Sequence, residues 1–528
     1  MQTSPQDSSS TFGPLRLPVF RLLWFTWFVA NTTMWMNDVA AAWLMTSLAP
    51  SPLWVALVQA CSTLPVFLLG LPSGALADIV DRRRYLLVTQ LWLAGTAFLL
   101  CAVVLMGWMN PALLLILTFA NGIGLAMRWP VFSAVMPEVL ARHQLAQGLA
   151  LNGIAMNGSR ILGPLIAGAL IASAGSAWVF VLNAVLSLAA AFAIFRWRRE
   201  HKESPLGRER LASAMRVGVQ FVSQSYRMRA LVLRILVFFL HATALMALLP
   251  LIARALPGGD AGSFTLLLAA MGTGAILSVL LMPRIRRLMH LQQLVLSGSV
   301  LHAVGASVVA FAPNLWVAVP AMFLCGVAWI TVANANTVAA QLALPDWVRA
   351  RGMSIYQMAI MGASASGAAL WGQIATLGNI HQAVVMASVS LVIVMVLVQR
   401  FTPDRDVDED HTPSHVLQMP DIAAPQNDGR VQTRIEYLID PAQAQNFLAL
   451  MEASRSSRLG QGALSWELLH DLTEPGRYVE QIVDESWTEH LRRFDRISAA
   501  AVSLREQRNA FHIGSEPPRV TRFLIEQV

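Results

Sequence analysis

GALADIVDRRR (residues 74–84) sets two aspartates and three consecutive arginines between apolar runs. Such a cluster cannot lie in hydrocarbon, where one charged side chain at mid-bilayer costs at least ~2.5 kcal/mol. The flanking runs, at ~20 residues each, are long enough to cross a bilayer. The stretch therefore reads as a short turn between two membrane spans, and the pattern extends outward from it. Apolar runs recur about twelve times before residue 400, near 20–46, 53–77, 85–107, 111–137, 145–173, 177–195, 229–253, 263–283, 291–311, 315–342, 352–376 and 381–399.

Composition supports that reading. The chain is 55% hydrophobic and 13% charged, with mean hydropathy +0.54, where soluble domains carry roughly 25% charged residues. Residues 1–400 hold 25 Lys and Arg against 10 Asp and Glu; residues 401–528 hold 13 against 21. A basic, apolar body thus gives way near Phe401 to an acidic tail of ordinary composition. The net charge of +7 does not indicate a nucleic-acid partner, because the body's arginines cluster in turns between apolar runs. Cys61, Cys101 and Cys325 all lie in apolar runs without metal-ligand or disulfide spacing. No phosphate-binding GxxxxGK[ST] occurs, so ATP is not expected to drive the protein. No cofactor or metal is expected.

The connections alternate. One set reads IVDRRR, PEVLARHQ, RWRREHKESPLGRER, PRIRRLMH and PDWVRAR; the other reads LAPSP, GWMNP, SAGSA, ALPGGDAGS, APN and LGNIHQ. The positive-inside rule puts the first set in the cytoplasm, and with it both termini. The polar N-terminus has no cleavable-signal pattern, so the first span is expected to direct insertion into a bacterial inner membrane.

Sliding the chain on itself uncovers a repeat. Gly148, Gly158, Gly163 and Gly168 match Gly352, Gly362, Gly367 and Gly372, each pair 204 residues apart. The same offset matches Asn110 with Asn314, Phe119 with Phe323, Gly122 with Gly326, and Arg82 and Arg83 with Arg286 and Arg287. Two parallel six-span halves, related by an axis along the membrane normal, are a transporter architecture with the substrate path between them.

These residues carry a resemblance. Gly74, Leu76, Ala77, Asp78, Asp81, Arg82 and Arg83 resemble the signature between helices two and three of the major facilitator superfamily, with Ile79 where a basic residue is common. The resemblance implies a gating latch, its aspartates and arginines capping helix ends and pairing across the cytoplasmic gate; the arginines also act as a topology signal. NGSRILGPLIAG (157–168) is similar to the family's antiporter signature at Gly163, Pro164 and Gly168, with Ser159 and Ala167 in place of glycines. That favours export. The fourth span departs from the proton-antiporter pattern, having Thr118 and Asn121 where arginine and glutamine are common. DVAAAWLM and ALNGIAMNGSRILGP look most like the branch of macrolide efflux pumps and the enterobactin exporter. The implied activity is proton-coupled export of small amphipathic organic molecules by alternating access, the expected partners being that substrate, protons and the lipid bilayer. An importer is the alternative.

Of the ten acids in the body, Asp38 alone lies within a span, which makes it the first candidate for proton coupling. It lies about 25 Å up its helix from Arg21, and Arg160 lies at a similar height, so the two are expected to pair. His241, mid-way along the seventh span, is the next candidate, with His302 behind it. Arg128 is expected to snorkel towards the cytoplasm.

The tail reads differently. VQTRIEYLI alternates as a strand, PAQAQNFLALMEASRSSR as a helix, and GALSWELLHDL and GRYVEQIVDES as strands about a turn. WTEHLRRFDRISAAAVSLREQ reads as one amphipathic helix and RVTRFLIEQV as a last strand. That order, βαββαβ, is the ferredoxin-like unit. The run GALSWELLHD…RYVEQIVDESWTEHLRR resembles the antibiotic-biosynthesis-monooxygenase family, which makes Trp466, Tyr478, Trp487 and His490 candidate pocket residues. A regulatory or dimerising module is favoured over a cofactor-independent monooxygenase acting on the transported compound. The expected organisation is an all-α membrane body with a C-terminal α+β domain: a first half at 1–195, a linker with an amphipathic helix at 196–228, a second half at 229–400, an acidic Pro-rich linker at 401–429 and the ferredoxin-like domain at 430–528.

Overall fold

A computed structural model describes residues 13–49, 51–140, 144–196, 211–345, 347–403 and 429–526. Most of the basic connection after the sixth span, and of the acidic linker, lies outside the described residues, as do the surroundings of Gly74 and the side chain of Asp78. The chain divides into two compact units, one of residues 1–208, 233–337 and 357–403, the other of 209–232, 338–356 and 404–528.

The body is built from helices α1 (Pro18–Leu48), α2 (Pro52–Ile79), α3 (Arg82–Leu105), α4 (Pro111–Val139), α5 (Leu145–Ala174) and α6 (Ser176–Arg196) in its first half. After α7 (Leu211–Gln224), the second half follows with α8 (Tyr226–Ala255), α9 (Ala261–Leu288), α10 (Leu291–Ala310), α11 (Leu315–Leu342), α12 (Arg349–Leu377) and α13 (Ile380–Phe401). Ten of these, among the described residues, are long and apolar enough to cross a membrane. The long helices α1 and α12 are not among the ten; Asn31, Asn37 and Asp38 in α1, and Gln357, Ser364, Ser366 and Gln373 in α12, lower their hydropathy.

Local signals set the ends. Pro18 and Pro52 sit in the first turns of α1 and α2, where a missing N–H costs nothing. Asp81 caps α3 by accepting from the Arg84 amide at 2.9 Å, and Asp260 closes a capping box with Ser263 on α9. The repeat-matched pair Asn110 and Asn314 are equivalent caps, accepting from the amides of Leu113 at 3.0 Å and Val317 at 3.2 Å. Each such cap is worth ~1 kcal/mol.

The matched glycines mark close helix crossings. A Cβ at Gly163 would collide with Trp35 of α1, and one at Gly367 with the Leu240 carbonyl of α8, the corresponding helix of the other half. A Cβ at Gly122 would strike Pro65 and the Ser62 carbonyl on α2, and one at Gly326 the Met271 carbonyl on α9. The repeat in sequence is thus a repeat of backbone approach.

In the second unit, β1 (Arg430–Leu438), β2 (Ser465–His470), β3 (Arg477–Asp484) and β4 (Arg519–Ile525) form one antiparallel sheet in the order β2-β3-β1-β4. Three helices accompany it: α14 (Ala444–Gly460), α15 (Trp487–Asp495) and α16 (Ala499–Ala510). The single helix expected after Trp487 is therefore two. Ser498 breaks it, adopting extended backbone and capping α16 through the Ala501 amide. On β3, Tyr478, Glu480, Ile482 and Asp484 are buried and the residues between them are half-buried.

The amphipathic α7 belongs to this second unit and docks on its sheet domain. Arg216 pairs with Glu485 at 2.7 Å, and the Ser213 hydroxyl donates to the same carboxylate at 2.7 Å. Gln220 donates to the Ala463 carbonyl at 3.1 Å, and Phe221 meets Trp347 edge-on at 5.7 Å. Arg496 lies over the other aromatic surface of this contact, 5.4 Å from the Trp347 ring centroid. Gly462 is required where α7 meets the sheet domain: its φ is +110°, and a Cβ there would crowd Val217 and Arg496.

Two tests follow from this packing. Gly326→Ala should lower the melting temperature of the purified protein by the equivalent of ~1–3 kcal/mol, the cost of overpacking. Gly153→Ala, whose added methyl meets nothing within 4 Å, should be neutral or slightly stabilising. Glu485→Lys should strip hydrogen-exchange protection from residues 211–224, and adding Arg216→Glu should restore it by reversing the pair; equal protection in all three proteins would refute the docking.

Candidate functional site

The two halves of the body pack together beside the arginine-poor connections. A continuous apolar cluster there includes Met45, Val55, Leu251, Phe264, Ala310 and Ala375, all beside the connections that lack clustered arginines. Trp43 stacks on Phe264 at 6.0 Å, and the Leu53 amide donates to the Thr376 hydroxyl at 3.0 Å. Gly168 abuts Thr265 of α9, and Gly372 abuts Ala56 of α2. Each glycine thus joins its own half to the other, in a symmetric pair. Of the signature residues on α5, Gly168 lies on this seam while Gly163 faces Trp35 of α1 within the first half, and Pro164 removes the hydrogen bond that the Arg160 carbonyl would otherwise accept within α5.

Behind the seam lie polar residues of α1. Asp38 is half-buried, and its carboxylate accepts from the Ser62 hydroxyl at 3.0 Å. Asn37 accepts from the Asn183 amide at 3.4 Å, and Asn183 accepts from Ser187 at 3.2 Å. Arg128 is buried, not snorkelled: it donates to the Ala30 carbonyl at 2.9 Å and to Asn31 at 3.3 Å, over the Trp27 ring. The expected pair of Asp38 and Arg160 is not formed. Arg160 instead lies between Trp35 and Trp329, 5.5 and 5.8 Å from their ring centroids.

His241 is buried, its Nδ1 2.7 Å from the Val237 carbonyl and its ring 5.8 Å from Trp371. It lines a small cavity with His302, Leu245, Val384, Ser388 and Leu391. All of those belong to α8, α10 and α13, so the cavity lies inside the second half and not between the halves.

At the arginine-rich end, Arg83 donates to the last carbonyls of α6, those of Ile194 and Phe195, neutralising a helix C-terminus. Arg286, the repeat counterpart of Arg82, donates to Asn334 at 2.8 Å. Of the signature residues, Asp81 and Arg83 therefore act on helix ends within the first half; Arg82 lies beside them in the first turn of α3.

In the tail, the four candidate residues are engaged in the core. Trp466 donates to Glu480 at 2.9 Å, and Tyr478 is buried against Phe447 and stacks on His470 at 4.3 Å. His490 bonds Asp484 through Nδ1 at 2.6 Å and accepts from Arg522 at Nε2 at 3.2 Å, with Trp487 stacked on its ring. The sequence signals missed the hub of this core, Glu480, which is 0% exposed. It accepts from Tyr437, Ser454, Arg458, Trp466 and Arg508. Burial pushes its carboxyl up, but Arg458 and Arg508 with the Trp466 and Tyr437 donors outweigh it, and the pKa lies below the ordinary glutamate value. Asp484 is likewise held low: burial raises it, and Arg493 and His490 more than compensate.

A helical body in two related halves, packed against each other and carrying polar residues within, is the build of a major facilitator transporter, and solved transporters share it. The chain superposes on a POT family transporter in complex with 5-aminolevulinic acid with a TM-score of 0.58 at 11% identity, covering 73% of this chain and 96% of that one. For the nucleoside transporter NupG the values are 0.62, 10%, 73% and 100%. For an inward-facing bacterial homologue of the human lysosomal transporter Spinster they are 0.56, 13%, 76% and 97%. At these identities the likeness is one of fold. No curated protein matches the chain in sequence. The chain belongs to the transmembrane secretion effector family of that superfamily, matching it over residues 9–528, tail domain included.

The charged core of the tail is open to titration. Glu480→Gln leaves Arg458 and Arg508 without their counter-charge and should destabilise the domain by ~3–5 kcal/mol, read as lost hydrogen-exchange protection across β1–β4 in the full chain. Because the folded pKa values of Glu480 and Asp484 are depressed, their contribution is complete above the unfolded carboxylate values of ~4 and is lost as pH falls through the folded ones. Protection in the wild type should therefore fall in acid below pH ~4 and hold steady from there to neutrality.

Proposed function

We propose that the protein exports small amphipathic organic molecules, of the drug or siderophore type, across a bacterial inner membrane by alternating access driven by protons. Twelve spans put both termini in the cytoplasm. The observation that carries the reading is the seam of α5 and α12 against α9 and α2. Gly168 of the antiporter-type signature Gly163, Pro164 and Gly168 lies on it, and in this reading it closes the end away from the basic turns. On this topology the closed end is periplasmic, so the interior would load from the cytoplasm. Its siting beside Arg-rich connections supports the signature Gly74, Asp78, Asp81, Arg82 and Arg83 as the cytoplasmic latch.

Asp38 is the proposed coupling acid. It stands beside the seam on α1, bonded to Ser62 of α2, and relative motion of these helices would change its environment and so its proton affinity. Arg160 becomes its partner in this scheme in a conformation where Trp35 no longer intervenes. His241, enclosed within the second half, ranks below it. The tail, with the sheet order β2-β3-β1-β4 of a ferredoxin-like unit, serves as a regulatory module. The commitment of Trp466, Tyr478 and His490 to core hydrogen bonds and stacking speaks against a catalytic pocket there.

Everted vesicles and reconstituted liposomes test this with a panel of amphipathic dyes. Wild-type protein should accumulate at least one dye in everted vesicles when a proton gradient is imposed. Asp38→Asn should lose that uphill transport while keeping downhill exchange. Uphill transport with unchanged pH dependence in the variant removes Asp38 from the coupling role, and accumulation in right-side-out vesicles alone would make the protein an importer.

A further inference from the structure

Arg160 is a cation that meets aromatic faces and, among the described residues, no hydrogen-bond acceptor. Three other span arginines each have at least one hydrogen-bond acceptor: Arg128 has Ala30 and Asn31, Arg254 the Thr46 carbonyl and Arg286 Asn334. Arg160, among the described residues, meets the rings of Trp35 and Trp329, while the nearest-lying acid of α1, Asp38, is bonded to Ser62. Cation–π contacts stabilise the charge but leave the guanidinium's five N–H donors unused. A buried charge at this depth is costly unless it is paired, and the residue is half-buried, not sealed. Position adds to this: Trp35 belongs to the first half and Trp329 to the second, so the guanidinium lies where the two halves face each other. Trp329 in turn meets Phe239 at 4.9 Å, Phe238 at 5.8 Å and His302 at 5.9 Å, giving an aromatic wall on one side.

We propose that Arg160 is the binding group for an oxyanion on the transported molecule, with Trp35 and Trp329 flanking its planar or aromatic body. The substrates are then small aromatic or amphipathic organic acids, not the cations many exporters carry. The inference rests on the transporter reading in taking the space between the halves as the substrate path. A carboxylate offers the bidentate geometry that guanidinium matches best. Bound there, it supplies the missing counter-charge, and Pro164, by freeing the Arg160 carbonyl from the helix ladder, leaves that turn of α5 able to adjust as the halves move.

The test uses purified full-length protein in phosphatidylcholine nanodiscs, titrated calorimetrically with 1-naphthoate, the neutral 1-naphthamide and the cationic 1-naphthylmethylammonium. Wild-type protein should bind naphthoate about tenfold or more tightly than either relative, the worth of one charge-assisted pair. Arg160→Gln should lose that preference while binding naphthamide within about twofold of wild type, and Arg160→Lys, keeping charge without the fork, should fall between. Naphthoate bound no better than naphthamide by wild type, or equally well by wild type and both variants, overturns the proposal. Displacement of naphthoate by phosphatidylglycerol in the disc also overturns it, assigning the site to a lipid phosphate. Wild-type protein that binds naphthoate without moving it across a liposome membrane sinks the export reading and leaves this one intact; dye export without naphthoate binding does the reverse.

Discussion

Helices in lipid gain little from burying apolar side chains against one another, because lipid tails are as apolar as leucine; close fit must hold them together. This chain obtains its fit from glycine. On α5, Gly163 brings α1 of the same half against the backbone and Gly168 brings α9 of the other half against it. On α12, Gly367 and Gly372 do the same for α8 and α2. One helix in each half is therefore a two-sided seam, and the aromatic stack of Trp43 on Phe264 and the apolar cluster around it depend on the spacing those crossings impose.

The seam also explains the distribution of polar residues. Helices that face lipid can be uniformly apolar, but α1 and α12 face neighbours along most of their length and carry polar side chains in place of aliphatic ones. Asn31, Asn37 and Asp38 each find a partner on another helix: Arg128, Asn183 and Ser62. Such bonds contribute roughly a kcal/mol apiece in a membrane, so they orient helices more than they bind them. The same residues lower the hydropathy of α1, as Gln357, Ser364, Ser366 and Gln373 lower that of α12, and apolarity alone would overlook these two helices.

Much of this was legible in the sequence because it was written in periodicity and backbone chemistry. The offset of 204 residues located the glycine crossings and the paired caps Asn110 and Asn314, since both require particular residue types at particular places. What failed was azimuth. Asp38 and Arg160 lie at similar heights, but height along a helix does not set direction. Three residues separate Trp35 from Asp38, about 60° around α1, and it is Trp35 that faces α5 while Asp38 faces α2. The tail failed differently. Its strands alternate clearly, but nothing in VEQ identifies Glu480 as a buried hub, because its arginines come from α14 and α16, 22 and 28 residues away. The break between α15 and α16 was signalled by Ser498, a good cap residue, and was hidden by the amphipathic pattern running through it.

Alternation between two arrangements requires an interface that is specific without being strong. The contacts joining the halves meet that requirement in kind: methylene and methyl groups seated on glycines, one stacked aromatic pair, the Leu53 amide on the Thr376 hydroxyl, and Arg254 on the Thr46 carbonyl. Shape contacts of this sort are lost together when the helices separate by a few tenths of an ångström, because dispersion falls steeply with distance. Each is small, so separation is not prohibited; all are geometrically exacting, so re-closure restores one register. Arg160 differs from Arg254 within that interface: its charge meets aromatic faces, and those faces come from opposite halves. Separating the halves must remove one of those faces and leave the guanidinium poorer in partners. An anion arriving from the open side would offset that loss, and the same residue would then tie the occupancy of the path to the position of the two halves.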